Sequence, residues 1–317
     1  MATIQTHDLR KRYRGVDALK GVSIGVAQGE VYGLLGQNGA GKTTLIKILL
    51  GIVTPTVGGA ALLDRPAGDA VTRRRVGYLP EDHRFPEYHT GWSLLNLFGS
   101  LHGVPTAERR RRIPGALERV GLGERMHSKI RTYSKGMKQR LGIAQALFHK
   151  PEVVFLDEPT DGVDPLGRRE IRAILQELKA AGVTVFINSH LLSEVELICD
   201  RVAIMDRGRL AREGTIDELT EQQNVYVVGL ADGQEFPADV VRAAGYQVRP
   251  AGAYWEITLS DGHGIDAVVD LLRGRGLGVR HLVEKRQSLE ETFFQTVGAE
   301  AEGPVVVEAV DPAGGTP

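Results

Sequence analysis

Residues 31–50, VYGLLGQNGAGKTTLIKILL, decide the fold. The first six are uncharged and mostly apolar, as a strand buried on both faces requires. GQNGAGKTT at 36–44 then satisfies the spacing G-x-x-x-x-G-K-[ST], and a helical pattern follows directly. Strand, glycine-rich turn and helix in that order build a phosphate cradle. Glycines let backbone N–H groups converge on phosphate oxygens without Cβ obstruction, and the helix N-terminus adds positive potential. The spacing assigns Gly36, Gln37, Asn38, Gly39, Ala40, Gly41, Lys42, Thr43 and Thr44 to the cradle. Lys42 is expected to bridge the β- and γ-phosphates, Thr43 to place its hydroxyl on Mg2+, and Thr44 to donate near the α-phosphate.

Outward from this loop, β-branched-rich segments precede it, and RVGYLP (75–80), EVVFLD (152–157) and VTVFINS (183–189) read as further strands. Helices are expected from Ser134, from Pro165 and over LLSEVELICD, and two short strands, RVAIMDRG and RLAREG, close the region. Strands alternating with helices argue for an α/β core whose sheet is covered on both faces. The stretch from about Asp82 to Arg131 is mostly helical with Arg-rich faces, and a helical subdomain is expected over about 82–150. VVFLDEPT (153–160) delivers two acids at a strand's C-terminal edge, where open α/β sheets bind ligands. Asp157 is suited to hold Mg2+ through water. Strand alternation sends Glu158 the other way, where it could polarise a water for in-line attack on a γ-phosphate.

Near Gln223 the texture changes. Residues 224–284 read as β-α-β-β-α-β, the ferredoxin-like order, followed by a helix over LEETFFQTV. The expected organisation is a nucleotide-binding domain over 1–222, a small α+β domain over 223–298, and a Pro/Gly/Glu-rich, disordered tail over 299–317.

Composition narrows the function classes. The 317 residues are 42% hydrophobic and 25% charged, with 39 Lys+Arg against 40 Asp+Glu. A net charge of -1 gives no global field to draw nucleic acid or anionic lipid. The lone Cys199 excludes an intrachain disulfide framework. The start shows no secretory signal, and no run approaches the ~20 apolar residues of a spanning helix.

With the phosphate loop and the carboxylate pair in this order, residues 2–220 resemble the ABC-type ATPases, the nucleotide-binding subunits of ATP-binding cassette transporters. The resemblance implies a P-loop NTPase cassette, a mixed sheet core plus helical subdomain, that binds ATP with Mg2+. It implies further roles. Tyr13 in RKRYRG matches the aromatic that stacks on adenine. Glu81 in GYLPE stands where many members carry a Gln that contacts Mg2+ and the attacking water. Asp164 in DGVDP matches an aspartate that crosses to the opposite site, and His190 in INSH the histidine that contacts the γ-phosphate. The family's Leu-Ser-Gly-Gly-Gln stretch is here Tyr133, Ser134, Lys135, Gly136 and Met137. Ser134 at a helix N-cap and Gly136 beside it suit an anion at the first turn. In the family that helix end meets ATP held by a second chain. The resemblance therefore implies a head-to-tail ATP sandwich with a second ATPase chain, identical or paralogous, and a separate membrane permease. It places the chain on the cytoplasmic face of the cell membrane. The variant stretch and the C-terminal extension resemble the exporter branch.

Other readings are weaker. A soluble relative acting on ribosomes or nucleic acid usually carries two cassettes or long coiled-coil insertions, whereas this chain has one phosphate loop. No Asn-Lys-x-Asp guanine motif marks a GTPase, and an intact Glu158 and His190 argue against a non-hydrolysing sensor. Arg73–Arg75 and Arg109–Arg112 read as charged faces in water. His83 and His89 lack metal-ligand spacing.

Overall fold

The computed structural model describes residues 2–220, 222–259 and 264–298. The chain divides into two compact units, one running to Ile216 and resuming at Phe293, the other Asp217–Thr292. The division thus falls at Ile216/Asp217, ahead of the 222/223 boundary expected from composition. The expected tail, 299–317, lies outside the described residues.

The first unit opens with an antiparallel sheet made of β1 (Ala2–Tyr13), β2 (Val16–Val22), β3 (Gly25–Ala27), β5 (Val57–Leu62) and β6 (Arg65–Pro66). Between β3 and β5 run β4 (Val31–Gly36) and α1 (Lys42–Leu49). Next come α2 (Ala70–Arg73), β7 (Val76–Leu79), α3 (Gly91–Leu101), α4 (Thr106–Glu118) and α5 (Lys135–Leu147). Alternating elements complete the unit: β8 (Val153–Asp157), α6 (Pro165–Ala180), β9 (Thr184–Asn188), α7 (Leu192–Ile198), β10 (Arg201–Asp206) and β11 (Arg209–Thr215).

The second sheet has the order β11-β10-β4-β9-β8-β7, parallel throughout except for β11. Its central strands are buried on both faces, which explains why β8 and β9 read as continuous apolar runs rather than alternating ones. Tyr32, Phe155 and Phe186 stack through the middle, with centroids 5.5 and 5.3 Å apart. At Gly77 a methyl would overlap the Ala146 carbonyl, so glycine lets the end of α5 lie close on β7. The stretch 82–90 is irregular, and helix begins at α3, where Thr90 and Ser93 form a reciprocal cap.

A short α8 (Ile216–Leu219) spans the division, and the second unit continues with β12 (Gln222–Leu230), α9 (Ala238–Ala243), β13 (Gln247–Ala251), β14 (Tyr254–Thr258), α10 (Ile265–Arg273) and β15 (Val279–Arg286). The order β-α-β-β-α-β and the antiparallel sheet β13-β14-β12-β15 are ferredoxin-like. Val228, Val241, Ile257, Val268 and Leu272 form its own core. The last helix, α11, is Leu289–Gly298.

Candidate nucleotide site

The C-terminal ends of β4, β7, β8 and β9 carry the site. The loop after β4 turns through Gly39 and Gly41, both in the left-handed region at φ 86° and 103°. At Gly41 a Cβ would lie 2.5 Å from the Ala18 carbonyl oxygen, so only glycine allows the start of α1 to approach this closely. Lys42 is 8% exposed, and its ammonium donates to the carbonyls of Gly36 (2.6 Å) and Gln37 (3.2 Å). Burial pulls the Lys42 ammonium below the ordinary lysine range, opposed by Glu158, Asp157 and Glu81.

A cavity of about 570 Å³ opens above this loop. Asn38 to Thr44, the span that includes Gly39, Ala40, Gly41, Lys42 and Thr43, form one side. Tyr13, Ala18, Glu81, Glu158, Asn188 and His190 complete the lining, and Asp157 is not part of it. Gly36 and Gln37 sit behind it, holding the lysine. Tyr13 is half exposed, with the Lys11 ammonium 4.9 Å from its ring centre.

Asp157 ends β8 directly beside Asn188 at the end of β9. The Asn188 amide donates to the Asp157 carboxylate, while its own carbonyl oxygen is buried with no partner among the described residues. Burial pushes the Asp157 carboxyl up. Glu81 and Glu158 push it the same way, and the Asn188 hydrogen bond and Lys42 pull it back. Three acids thus crowd the same place. Hard oxygen donors at Thr43 and Asp157, with excess negative charge around them, fit a small divalent cation such as Mg2+. Among the described residues no three His, Cys, Asp or Glu group as a self-sufficient metal cage. Mg2+ typically takes only one or two carboxylates and completes its shell with water and substrate phosphate.

Glu158 departs from the expectation of strand alternation. It lies one residue past β8 with φ 52°, a left-handed turn unusual for a side-chain-bearing residue. That turn, not the strand's pleat, aims its carboxylate: Oε2 lies 2.8 Å from His190 Nδ1 and accepts from the Ser189 hydroxyl at 3.3 Å. Asp157 and Glu158 are buried and adjacent in sequence, yet serve the site from different backbone conformations.

Ser134, Gly136 and Asp164 do not line this cavity. Ser134 caps α5, its hydroxyl accepting from Met137 N–H at 3.2 Å. Gly136 lies against the Gly162 carbonyl. Asp164 caps α6 through Gly167 N–H (3.0 Å) and lies 3.6 Å from Arg140. Two departures at this stretch have local explanations. Tyr133 is buried and donates to the Arg125 carbonyl at 2.7 Å, and Lys135 pairs with Asp161 at 2.7 Å.

Asn188 and Gln139 were missed by sequence reasoning. Asn188 was visible as a polar residue ending an apolar strand, as Asp157 does, but only the β8–β9 register makes them neighbours.

Comparison with known proteins shows the family. Residues 19–161 match the ABC transporter family. The chain is similar to an ABC transporter ATP-binding protein of Nostoc sp., 47% identical over 308 residues, covering 93% of this chain and 90% of the relative. It is similar to the bacitracin transport ATP-binding protein BcrA of Enterococcus faecalis, 33% identical, covering 93% of this chain and 96% of that protein. Among solved structures, cbiO1 from Clostridium perfringens, described as part of the ABC transporter complex cbiONQ, superposes with a TM-score of 0.62 at 32% identity. That match covers 69% of this chain and 90% of cbiO1.

Proposed function

This chain belongs to the ABC transporter ATP-binding proteins, ATP-hydrolysing cassettes, and from that premise we propose that it is the motor subunit of an exporter. In this reading two ATPase chains, identical or paralogous, pair head to tail around two ATP molecules and drive a separate membrane permease. The observation that carries it is the partition of polar groups. The cavity over the phosphate loop gathers Tyr13, Lys42, Glu81, Glu158 and His190, and leaves Ser134 and Gly136 outside. A helix start with no role in its own chain's cavity suits a neighbour's nucleotide.

The chemistry follows from the residues. Tyr13 offers a face for the adenine. The loop N–H groups and Lys42 take the phosphates, exchanging the lysine's carbonyl partners for phosphate oxygens. Glu158 accepts a proton from the attacking water, and His190, 2.8 Å away, holds that carboxylate and reaches the γ-phosphate. Mg2+, held by Thr43 and Asp157 with Glu81 near, would neutralise charge on the phosphates when bound. Ser134 and Gly136 from the second chain add stabilisation in trans, and Asp164 crosses at the same interface. No helix among the described residues is long and apolar enough to cross a membrane. A peripheral place on the cytoplasmic face, through the permease, fits that. Export is favoured by the variant stretch at 133–137 and the C-terminal unit, and BcrA, named for bacitracin transport, matches over 93% of this chain.

The direct test is Glu158→Gln, measuring turnover, ATP affinity and nucleotide-dependent dimerisation. Turnover is expected to fall on the order of 10²-fold or more, with ATP still bound and the dimer accumulating. Turnover within a few-fold of wild type would remove Glu158 as the base.

A further inference from the structure

Gln139 is a buried polar side chain, 3% exposed, that the chemistry above does not use. Its amide nitrogen donates to the main-chain carbonyl of Glu158 at 2.8 Å. The other side of the same residue is also held: Glu158 N–H donates to the Asn188 carbonyl at 2.8 Å. A left-handed glutamate persists only where its surroundings over-determine it. Here β9 grips the nitrogen side and α5 the carbonyl side. One turn earlier on the same face of α5, Lys135 holds Asp161, whose N–H closes the turn back onto the Glu158 carbonyl at 3.2 Å. The turn 158–161 is therefore fastened to α5 at both ends, and the start of α5 is Ser134.

We propose that Gln139 is the positioning residue that aims the Glu158 carboxylate, and through it the helix start that meets a neighbour's nucleotide is linked to this chain's own base. The proposal rests on the reading of Glu158 as base. A shift of α5 on contact with a second chain moves the Gln139 amide and with it the Glu158 peptide. Hydrolysis in one half-site then depends on contact made at the other. Gln139 touches no substrate in this scheme and acts only through Glu158.

The test is a double-mutant cycle in the full chain with Gln139→Met, Glu158→Gln and both together. Met keeps the volume and removes the donor. Q139M is expected to lower kcat about tenfold or more, as misplacing a reacting group by a fraction of an ångström does. Affinity for a fluorescent ATP analogue should stay within about twofold, because the cradle is untouched. In the E158Q background Q139M should cost nothing further, since its effect runs through that carboxylate. An unchanged kcat in Q139M beside an inactive E158Q overturns the role of Gln139 alone. A loss that persists in full in the E158Q background marks a merely structural role and also overturns it. Normal turnover by E158Q removes the base and this proposal together. Should Q139M not fold, Gln139→Asn, whose shorter amide falls short of the carbonyl, enters the same cycle.

Discussion

The ends of β8 and β9 and the start of α5 are both polar, but they are built on opposite plans. At the strand ends Asp157, Glu158 and Asn188 are 1%, 7% and 3% exposed, and each is held by another residue of the site. At the helix start Ser134 is exposed and the Lys135 side chain is 68% exposed. Buried polar groups must be satisfied or they cost stability, so the strand ends carry a largely self-contained arrangement set by the fold, in which the Asn188 carbonyl oxygen is left without a partner among the described residues. Exposed ones cost little to leave open to water. The difference teaches that one region is made to hold a nucleotide and the other to be offered outward.

The largest effect expected to probe this contrast comes from Asp157→Asn. Burial raises the Asp157 carboxyl above the ordinary aspartate range. A carboxyl raised on folding binds more protons folded than unfolded, so its burden on stability appears as pH rises through the raised value and is absent below the usual carboxylate range. Asn removes that charge and still offers an acceptor to Asn188. D157N is therefore expected to lose turnover on the order of 10²-fold, while Tm in the absence of nucleotide rises by about 2–4 °C per kcal/mol relieved. The Tm difference between D157N and wild type should shrink as pH falls. A lower Tm for D157N at neutral pH would contradict a strained, self-contained strand end.

A smaller effect is expected at the other region. Ser134→Ala removes the cap of α5 at about 1 kcal/mol of stability and weakens the helix start as a hydrogen-bond donor to an anion. Turnover should fall on the order of 10-fold, while ATP affinity of the separated chain is unchanged. A matching loss of affinity in the separated chain would place Ser134 in its own chain's site and erase the contrast.

How much was legible in the sequence follows the same division. The phosphate loop is a contiguous spacing rule, and Lys42 and the 36–44 stretch could be read because geometry there follows from adjacent residues. The α/β class and the β-α-β-β-α-β order of the second unit followed from periodicity. Glu158 was legible as an acid at a strand's end, but strand alternation does not govern it, since it sits beyond β8 at φ 52°. Gln139 and Asn188 stayed hidden because their partners are 19 and 31 residues away, and no local pattern marks a hydrogen bond made by tertiary packing. The sequence marks Tyr133 and Lys135 only as departures from the family's stretch. Tyr133 answers to packing beside Gly91, and Lys135 to a carboxylate the sequence places 26 residues on.

The smallest effect should come from Lys135 itself. Its pair with Asp161 is 2.7 Å long, but the two side chains are 68% and 41% exposed. The Lys135 ammonium holds the Asp161 carboxyl below the ordinary range, yet a pair this open to water and salt contributes about 0.2–1 kcal/mol. Lys135→Met should therefore change Tm by no more than about 3 °C and turnover by no more than about threefold, with the difference shrinking at high salt. The ranking matters more than the size. If the helix start acts through its backbone N–H groups and cap, removing Ser134 must hurt more than removing a lysine charge beside it. Should K135M be the more damaging change, the outward-facing region would work as a point charge rather than as an oriented helix end. The fastening of α5 to the Glu158 turn would then depend on its exposed contact rather than on the buried amide of Gln139.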